Sequence, residues 1–222
     1  MLLRPDAIIF DFDGVIVDSE WIANEVLAQV LTENGMPTTV EESYEHYMGR
    51  SWADNEAAIE ARWGKTKVDL RARIRAVGRA RMDAELRLID GVEDFVEGLG
   101  ATPRAIASSS QLEWITSRLE QFDFAAAFGV HVFSAAAHVA RGKPHPDIYL
   151  HAADALRADP ARILVVEDSP TGVKAGVAAG MTVIGLCAGS HIRPGHHDLL
   201  IEAGASQVAD SYGALKAILS LG

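Results

Sequence analysis

Five short apolar runs punctuate the chain, at residues 7–10, 105–108, 130–133, 163–166 and 183–186. Each is nearly continuous rather than alternating, the pattern of parallel strands buried on both faces. Helical spacing separates the later runs, over residues 112–122, 147–156 and the small-residue stretch 171–179, which Gly180 ends; residues 212–219 read as a closing helix. Such strand–helix alternation predicts an α/β fold, a doubly wound, Rossmann-like parallel sheet with right-handed crossovers.

The rhythm breaks between the first and second runs, where about ninety residues intervene, far more than a crossover needs. They read as helices. Ser19 is placed to cap one whose Ile22, Val26, Leu27, Val30 and Leu31 form a single apolar stripe, stopped by Gly35 and Pro37. Further helices are predicted at 41–47, 51–63 and 68–88. The chain therefore divides into a core of residues 1–16 and 89–222 and an inserted helical cap of residues 17–88. An insert at this point is expected over the carboxyl ends of the strands, where open α/β sheets bind ligands. The basic stretch Arg71, Arg73, Arg75, Arg79 and Arg81 reads as a solvated helix face.

Composition narrows the class. With 222 residues, 49% hydrophobic and 23% charged, the profile is that of an ordinary globular chain. No run reaches the roughly 18 apolar residues of a membrane span, and the first residues lack a secretory pattern. The single Cys187 excludes an intrachain disulfide framework. A soluble, cytoplasmic protein is expected, with no membrane partner. The net charge of −11, with no long basic tract, argues against nucleic acid as a partner. Small anions are still admissible wherever a metal, a lysine and helix N-termini create a local positive spot.

The chemistry gathers at predicted strand ends. The first apolar run delivers Asp11 and Asp13 into a turn opened by Gly14. Residues i and i+2 of a strand share a side, so both carboxylates can face one site, where they raise one another's pKa or need a cation. The second run ends in Ser108-Ser109-Ser110 before a helix, a candidate cradle for the oxygens of a tetrahedral anion or a plain N-cap. In Gly142-Lys143-Pro144-His145-Pro146-Asp147 two prolines stiffen the backbone beyond Lys143, a compact charge suited to phosphate or to a carboxylate pair. The fourth run ends in Glu167-Asp168. Oxygen-rich sites of this kind suit Mg²⁺, with Asp11, Asp168 and Glu167 as candidate carboxylates and Asp13 contributing its backbone carbonyl. His191, His196 and His197 lie in a Gly/Pro-containing loop and read as a solvent loop or as part of the site's rim rather than as metal ligands.

In order and spacing these elements resemble the haloacid dehalogenase (HAD) superfamily over nearly the whole chain. Asp11-Phe12-Asp13-Gly14-Val15-Ile16-Val17-Asp18-Ser19-Glu20 is similar to its motif I, Ser108 to motif II, Lys143 to motif III, Glu167-Asp168 to motif IV, and the helical insert to its C1 cap. The resemblance implies that Asp11 attacks phosphorus to give an aspartyl-phosphate. It implies that Asp13 protonates the leaving alkoxide and then activates water. It also implies a Mg²⁺ cofactor, with Lys143, Ser108 and Ser109 holding phosphate oxygens.

Within the family, dehalogenases and phosphonatases lack the second Asp, so Asp13 disfavours both. β-Phosphoglucomutase shares the cap type and all four motifs. Its early cap-helix histidine is matched here by Ala23, and its cap arginine falls at Trp52, with Arg50 close by. Hydrolysis of a small phosphorylated metabolite, a sugar or polyol phosphate, is the resulting expectation. A phosphosugar mutase is the alternative, and a non-catalytic phosphate-binding protein a remote one. Trp21, Asn24, Glu25, Arg50 and Trp52 are the cap candidates for the leaving-group pocket. No heptad seam is present, and a monomer is expected.

Overall fold

The computed structural model describes residues 5–48 and 52–219. The chain forms two compact units, Met1–Val17 with Leu88–Gly222 and Asp18–Arg87.

The Asp18–Arg87 unit is helical, with α1 (Glu20–Glu33), α2 (Val40–His46), α3 (Trp52–Trp63) and α4 (Leu70–Glu85). The stripe Ile22, Val26, Leu27, Val30 and Leu31 of α1 is buried. Ser19 precedes α1 with a backbone that is already helical (φ −92°, ψ −27°), and its side chain makes no capping bond. The predicted cap fails there because a capping side chain needs an extended backbone. Thr39 does cap α2: its hydroxyl accepts from Glu42 N, while the Glu42 carboxylate accepts from Thr39 N. On α4, Arg71, Arg73, Arg75 and Arg79 are exposed, whereas Arg81 pairs with Glu25 (2.8 Å) and Glu85 (2.5 Å). Arg50 lies outside the described residues.

The larger unit is a six-stranded parallel sheet of β1 (Ala7–Phe10), β2 (Arg104–Ser108), β3 (Val132–Ser134), β4 (Ile163–Glu167), β5 (Thr182–Leu186) and β6 (Gln207–Ala209). The spatial order is β3-β2-β1-β4-β5-β6. Its helices are α5 (Val92–Gly98), α6 (Leu112–Gln121), α7 (Ala135–His138), α8 (Asp147–Leu156), α9 (Pro170–Ala178), α10 (His196–Glu202) and α11 (Tyr212–Ile218). Ile9 pairs in register with Ala105 on one side and Val165 on the other, so β1 is central.

Both faces are covered, which explains the continuous apolar runs. One face buries Ile9, Ala107, Val165 and Val183 with Tyr149 of α8 and Val173 of α9. On the other, the Phe10 ring meets Phe95 and Phe128 edge-on, at 6.2 and 5.8 Å, and Phe95 packs on Tyr212 at 5.1 Å.

Four elements were not predicted, among them the four-residue α7 directly after β3. β6 is three residues long and begins with the exposed Gln207, so no apolar run marks it. α5 and α10 are single short helices that follow Gly91 and Gly195, both in the left-handed region (φ +82° and +88°). Read along the sequence, such glycines signal loops rather than helix starts. The edge strand β3 also begins two residues later than expected, because Val130 is 84% exposed in the turn before it.

Candidate active site

The order of the strands reverses direction of travel beside β1, the point at which open α/β sheets leave a crevice outside their carboxyl ends. Four strand ends or following loops meet there. The chain leaving β1 turns at once: Phe12 O accepts from Ile16 N (2.8 Å) and Val17 N (3.1 Å), and Gly14 N donates to Val17 O (2.8 Å). Gly14 has φ +77°, and a Cβ on it would lie 1.8 Å from Asp168 Oδ2. Only glycine brings the two acid-bearing loops so close.

Asp11 and Asp13 have different partners. Lys143 Nζ donates to Asp11 Oδ1 and to Glu167 Oε1, at 2.7 Å each, with its side chain 4% exposed. The loop that presents Lys143 is clamped by Arg141, whose guanidinium donates to both oxygens of Asp147 (3.0 and 2.7 Å). Asp13 instead accepts from Ser110 Oγ (2.5 Å), in the turn before α6, and from Trp114 Nε1 (3.1 Å), in the first turn of α6. Ser134 Oγ in turn donates to Ser110 O (2.6 Å), tying β3 to this turn.

Glu167 has no exposed surface and is surrounded by donors. Besides Lys143, Tyr149 Oη donates to Oε1 (3.0 Å), and Ser169 N and Oγ donate to Oε2 (2.8 and 2.9 Å). The Ser169 hydroxyl also caps α9, accepting from Gly172 N at 3.1 Å. The ammonium of Lys143 lies 4.9 Å from the centre of the Tyr149 ring. Asp168 is buried beside them, its Oδ2 3.0 Å from His191 Nε2.

The charges are out of balance. Ligand atoms of Asp11, Glu167 and Asp168 lie within 4.8 Å of one another, and all three residues are buried. Burial, then the charges of Glu167 and Asp168, push the Asp11 carboxyl well above the ordinary carboxylate range, against the pull of Lys143. Burial and the neighbouring Glu167 do the same to Asp168. Burial alone would lower the Lys143 ammonium, but Asp11 and Glu167 outweigh it and hold it well above its usual value. One lysine against three buried acids leaves net negative charge in an all-oxygen cluster. That donor set fits a hard divalent cation such as Mg²⁺.

Of the other predicted residues, Ser108 is buried, with Oγ accepting from Ser110 N (3.0 Å), and Ser109 is exposed beside it. In the helical unit Trp21 is half-buried with the Arg81 guanidinium 5.6 Å above its ring, and Glu25 is paired with Arg81. Asn24 is buried and engaged in packing: its amide donates to Glu20 O (2.8 Å) and it accepts from Ser43 Oγ (2.9 Å). Trp52 opens α3, half-buried.

Sequence reasoning did not single out Trp114 or Tyr149. Each stands on a helix away from the strand-end motifs. The one available signal was the polar hydroxyl or N–H of an otherwise apolar side chain, which needs a partner when buried. Of the two readings of the histidines, the solvent loop is corrected at two positions: His191 and His196 are 2% and 6% exposed and face Asp168, while His197 stays outside, beside Asp198.

Fold and site together define an α/β protein with a buried acidic cluster and one lysine at the carboxyl edge of its parallel sheet. The chain belongs to the haloacid dehalogenase-like hydrolases, whose family model matches residues 8–186. It is 28% identical over 193 residues to the 6-phosphogluconate phosphatase of Escherichia coli (strain K12), covering 86% of each chain. Among solved structures it is similar to a conserved haloacid dehalogenase-like protein of unknown function from Agrobacterium tumefaciens (TM-score 0.87, 37% identity, 97% of each chain). A HAD family hydrolase from Deinococcus radiodurans R1, solved with bound phosphate and sodium, matches with TM-score 0.85 and 32% identity over 98% of this chain and 96% of that one. No helix among the described residues is long and apolar enough to cross a membrane.

Proposed function

We propose that this enzyme is a Mg²⁺-dependent phosphatase that hydrolyses a small phosphomonoester, a sugar or polyol phosphate, through a covalent phosphate on Asp11. The observation that carries the reading is the Lys143 ammonium, 2.7 Å from Asp11 Oδ1 and from Glu167 Oε1, within a cluster of three buried acids. Asp11 and Asp168, with the backbone carbonyl of Asp13, are the groups that would hold the ion; Glu167, the third candidate carboxylate, already accepts four hydrogen bonds and serves instead to anchor Lys143. When bound, Mg²⁺ offsets the repulsion between an attacking carboxylate and an anionic phosphate.

The chain's own residues then account for the two half-reactions. The Asp11 carboxylate attacks phosphorus in line, forming the acyl-phosphate bond as the ester P–O bond breaks. The Asp13 carboxyl gives its proton to the departing alkoxide. In the second step the Asp13 carboxylate takes a proton from water, which attacks the same phosphorus. The Asp11–phosphate bond breaks, and inorganic phosphate leaves with Asp11 restored. Lys143, with Ser108 and Ser109, holds the phosphoryl oxygens. The relative that acts on 6-phosphogluconate supports a phosphorylated sugar or sugar acid as substrate class.

The test is a screen of purified protein with Mg²⁺ against sugar, polyol and nucleotide monophosphates, with Asp11→Asn as the blank. Release of phosphate that disappears in the variant is the expected result. Glucose 6-phosphate formed from β-glucose 1-phosphate without free phosphate would replace this reading by the mutase. Tight phosphate binding without turnover of any ester would replace it by a binding protein.

A further inference from the structure

The loop from Cys187 to Gly195 and the first residue of α10, which follows it, are not used by the mechanism above, yet they turn two histidines, His191 and His196, into the core unit. His191 Nε2 lies 3.0 Å from Asp168 Oδ2, and both side chains are more than nine-tenths buried. His196 Nε2 lies 2.6 Å from the backbone oxygen of the same Asp168. A ring nitrogen facing a carbonyl oxygen at that distance carries hydrogen and donates. The two imidazoles meet edge to face, 5.9 Å apart and at 90°. Two glycines are needed for the fit. A Cβ on Gly189 would stand 2.6 Å from His191 Nδ1, and one on Gly14 would stand 3.0 Å from His191 Cε1 as well as 1.8 Å from Asp168 Oδ2.

We propose that His191, supported by His196, is a positioning residue of the metal centre: it donates to Asp168 Oδ2 and fixes that carboxylate in the plane from which it binds the cation. The proposal rests on the Mg²⁺ reading above. Its physical basis is that a lone carboxylate at a strand end rotates about χ2, and each orientation presents different lone pairs. A donor on one oxygen selects a single orientation and spares the ion the work of ordering its ligand. Groups in this relation to a metal ligand typically alter affinity 10–100-fold when removed. His196 fixes the main chain at the same residue, so the loop and the start of α10 grip Asp168 at both ends. His197, one residue on, points outward next to Asp198 and takes no part.

The experiment is calorimetric titration of the full chain with Mg²⁺ alone, no substrate present. Wild-type protein and His197→Ala are expected to bind alike, and Asp168→Asn to lose binding. His191→Ala is expected to weaken binding roughly 10–100-fold. His191→Gln, whose amide nitrogen can stand near the position of Nε2, is expected to restore most of it. Unchanged affinity in His191→Ala, or equal weakening in the Ala and Gln variants, overturns the proposal and leaves the phosphatase reading standing. Absence of Mg²⁺ binding in wild-type protein overturns both. Should His191→Ala not fold, the wild-type imidazole nitrogen resonances decide: Mg²⁺ is expected to shift those of His191 and not those of His197, and an unmoved His191 overturns the proposal.

Discussion

Glu167 is the residue on which the site's order depends. It accepts four hydrogen bonds on two oxygens, from Lys143, Tyr149 and the backbone and hydroxyl of Ser169. A carboxylate filled in this way serves first as the anchor that aims Lys143 at Asp11. Tyr149→Phe removes one donor to a buried charge and leaves the ring in place. It is expected to lower stability by about 1.5–3 kcal/mol in urea unfolding, with a smaller effect on turnover than Lys143→Ala. Lys143→Ala strips the one lysine from buried Asp11 and Glu167 and is expected to cost about 3–5 kcal/mol in the same assay. Nearby, burial pushes the half-buried Cys187 thiol up to about 11, with Asp168 and Asp210 adding to the effect. A raised thiol pKa means less thiolate at neutral pH, so alkylation at pH 8 is expected to run about a hundredfold slower than for an unperturbed thiol, rising with pH up to about 11. Iodoacetamide labelling followed by mass spectrometry measures it. At this scale the sequence was most readable where acids follow an apolar run, since such acids cannot be core packing. Tyr149 was hidden because a tyrosine on a buried helix face looks like any other aromatic until its hydroxyl finds Glu167.

At the scale of elements, the strand ends and helix starts act as a jig. α9 begins at Pro170 with Ser169 as its cap, and its third residue, Gly172, has no side chain because Glu167 occupies that space. A Cβ there would lie 1.5 Å from Glu167 Oε1 and 2.0 Å from its Cδ, with the carboxylate already held by four donors. Gly172→Ala therefore has no cheap relaxation. Helix propensity favours alanine by about 1 kcal/mol, but displacing an anchored buried carboxylate outweighs it. The variant is expected to lose about 1–3 kcal/mol in urea unfolding and to lose activity along with the Lys143–Glu167 contact. An unchanged or stabilised variant would show that Glu167 is free to move. Strands β1 to β5 were legible because burial on both faces removes polar alternation. β6, α5, α7 and α10 were not, because three to seven residues carry too little periodicity. The burial of His191 and His196 was hidden by their neighbours: next to Gly189, Pro194 and Gly195 they read as solvent-facing until the fold brings Asp168 against them.

At the scale of the whole molecule, the decisive quantity is charge. The chain carries a net −11, and part of that excess is buried as Asp11, Glu167 and Asp168 with only Lys143 as a lysine partner. Such a cluster makes the core unit less stable than its apolar packing would allow, and a cation that binds the folded cluster but not the unfolded chain gives that stability back. The gain follows RT ln(1 + [L]/Kd), about 2.7 kcal/mol at a hundredfold excess over Kd. For a unit of roughly 150 residues, Met1–Val17 with Leu88–Gly222, each kcal/mol raises the melting temperature by about 2–4 °C. Saturating Mg²⁺ is therefore expected to raise the transition of this unit by roughly 5–11 °C, and chelation by EDTA to reverse the shift. The Asp18–Arg87 unit holds none of the three acids, so a transition belonging to it gains nothing by this route. Calorimetric scans with and without Mg²⁺ separate the two cases, and Asp168→Asn supplies the control. In that variant one acid of the cluster is neutral, so the metal-free protein is expected to melt no lower than the metal-free wild type and to ignore Mg²⁺. A wild-type transition that stays put in Mg²⁺ would mean that the three acids are a structural network around Lys143 and not a cation site.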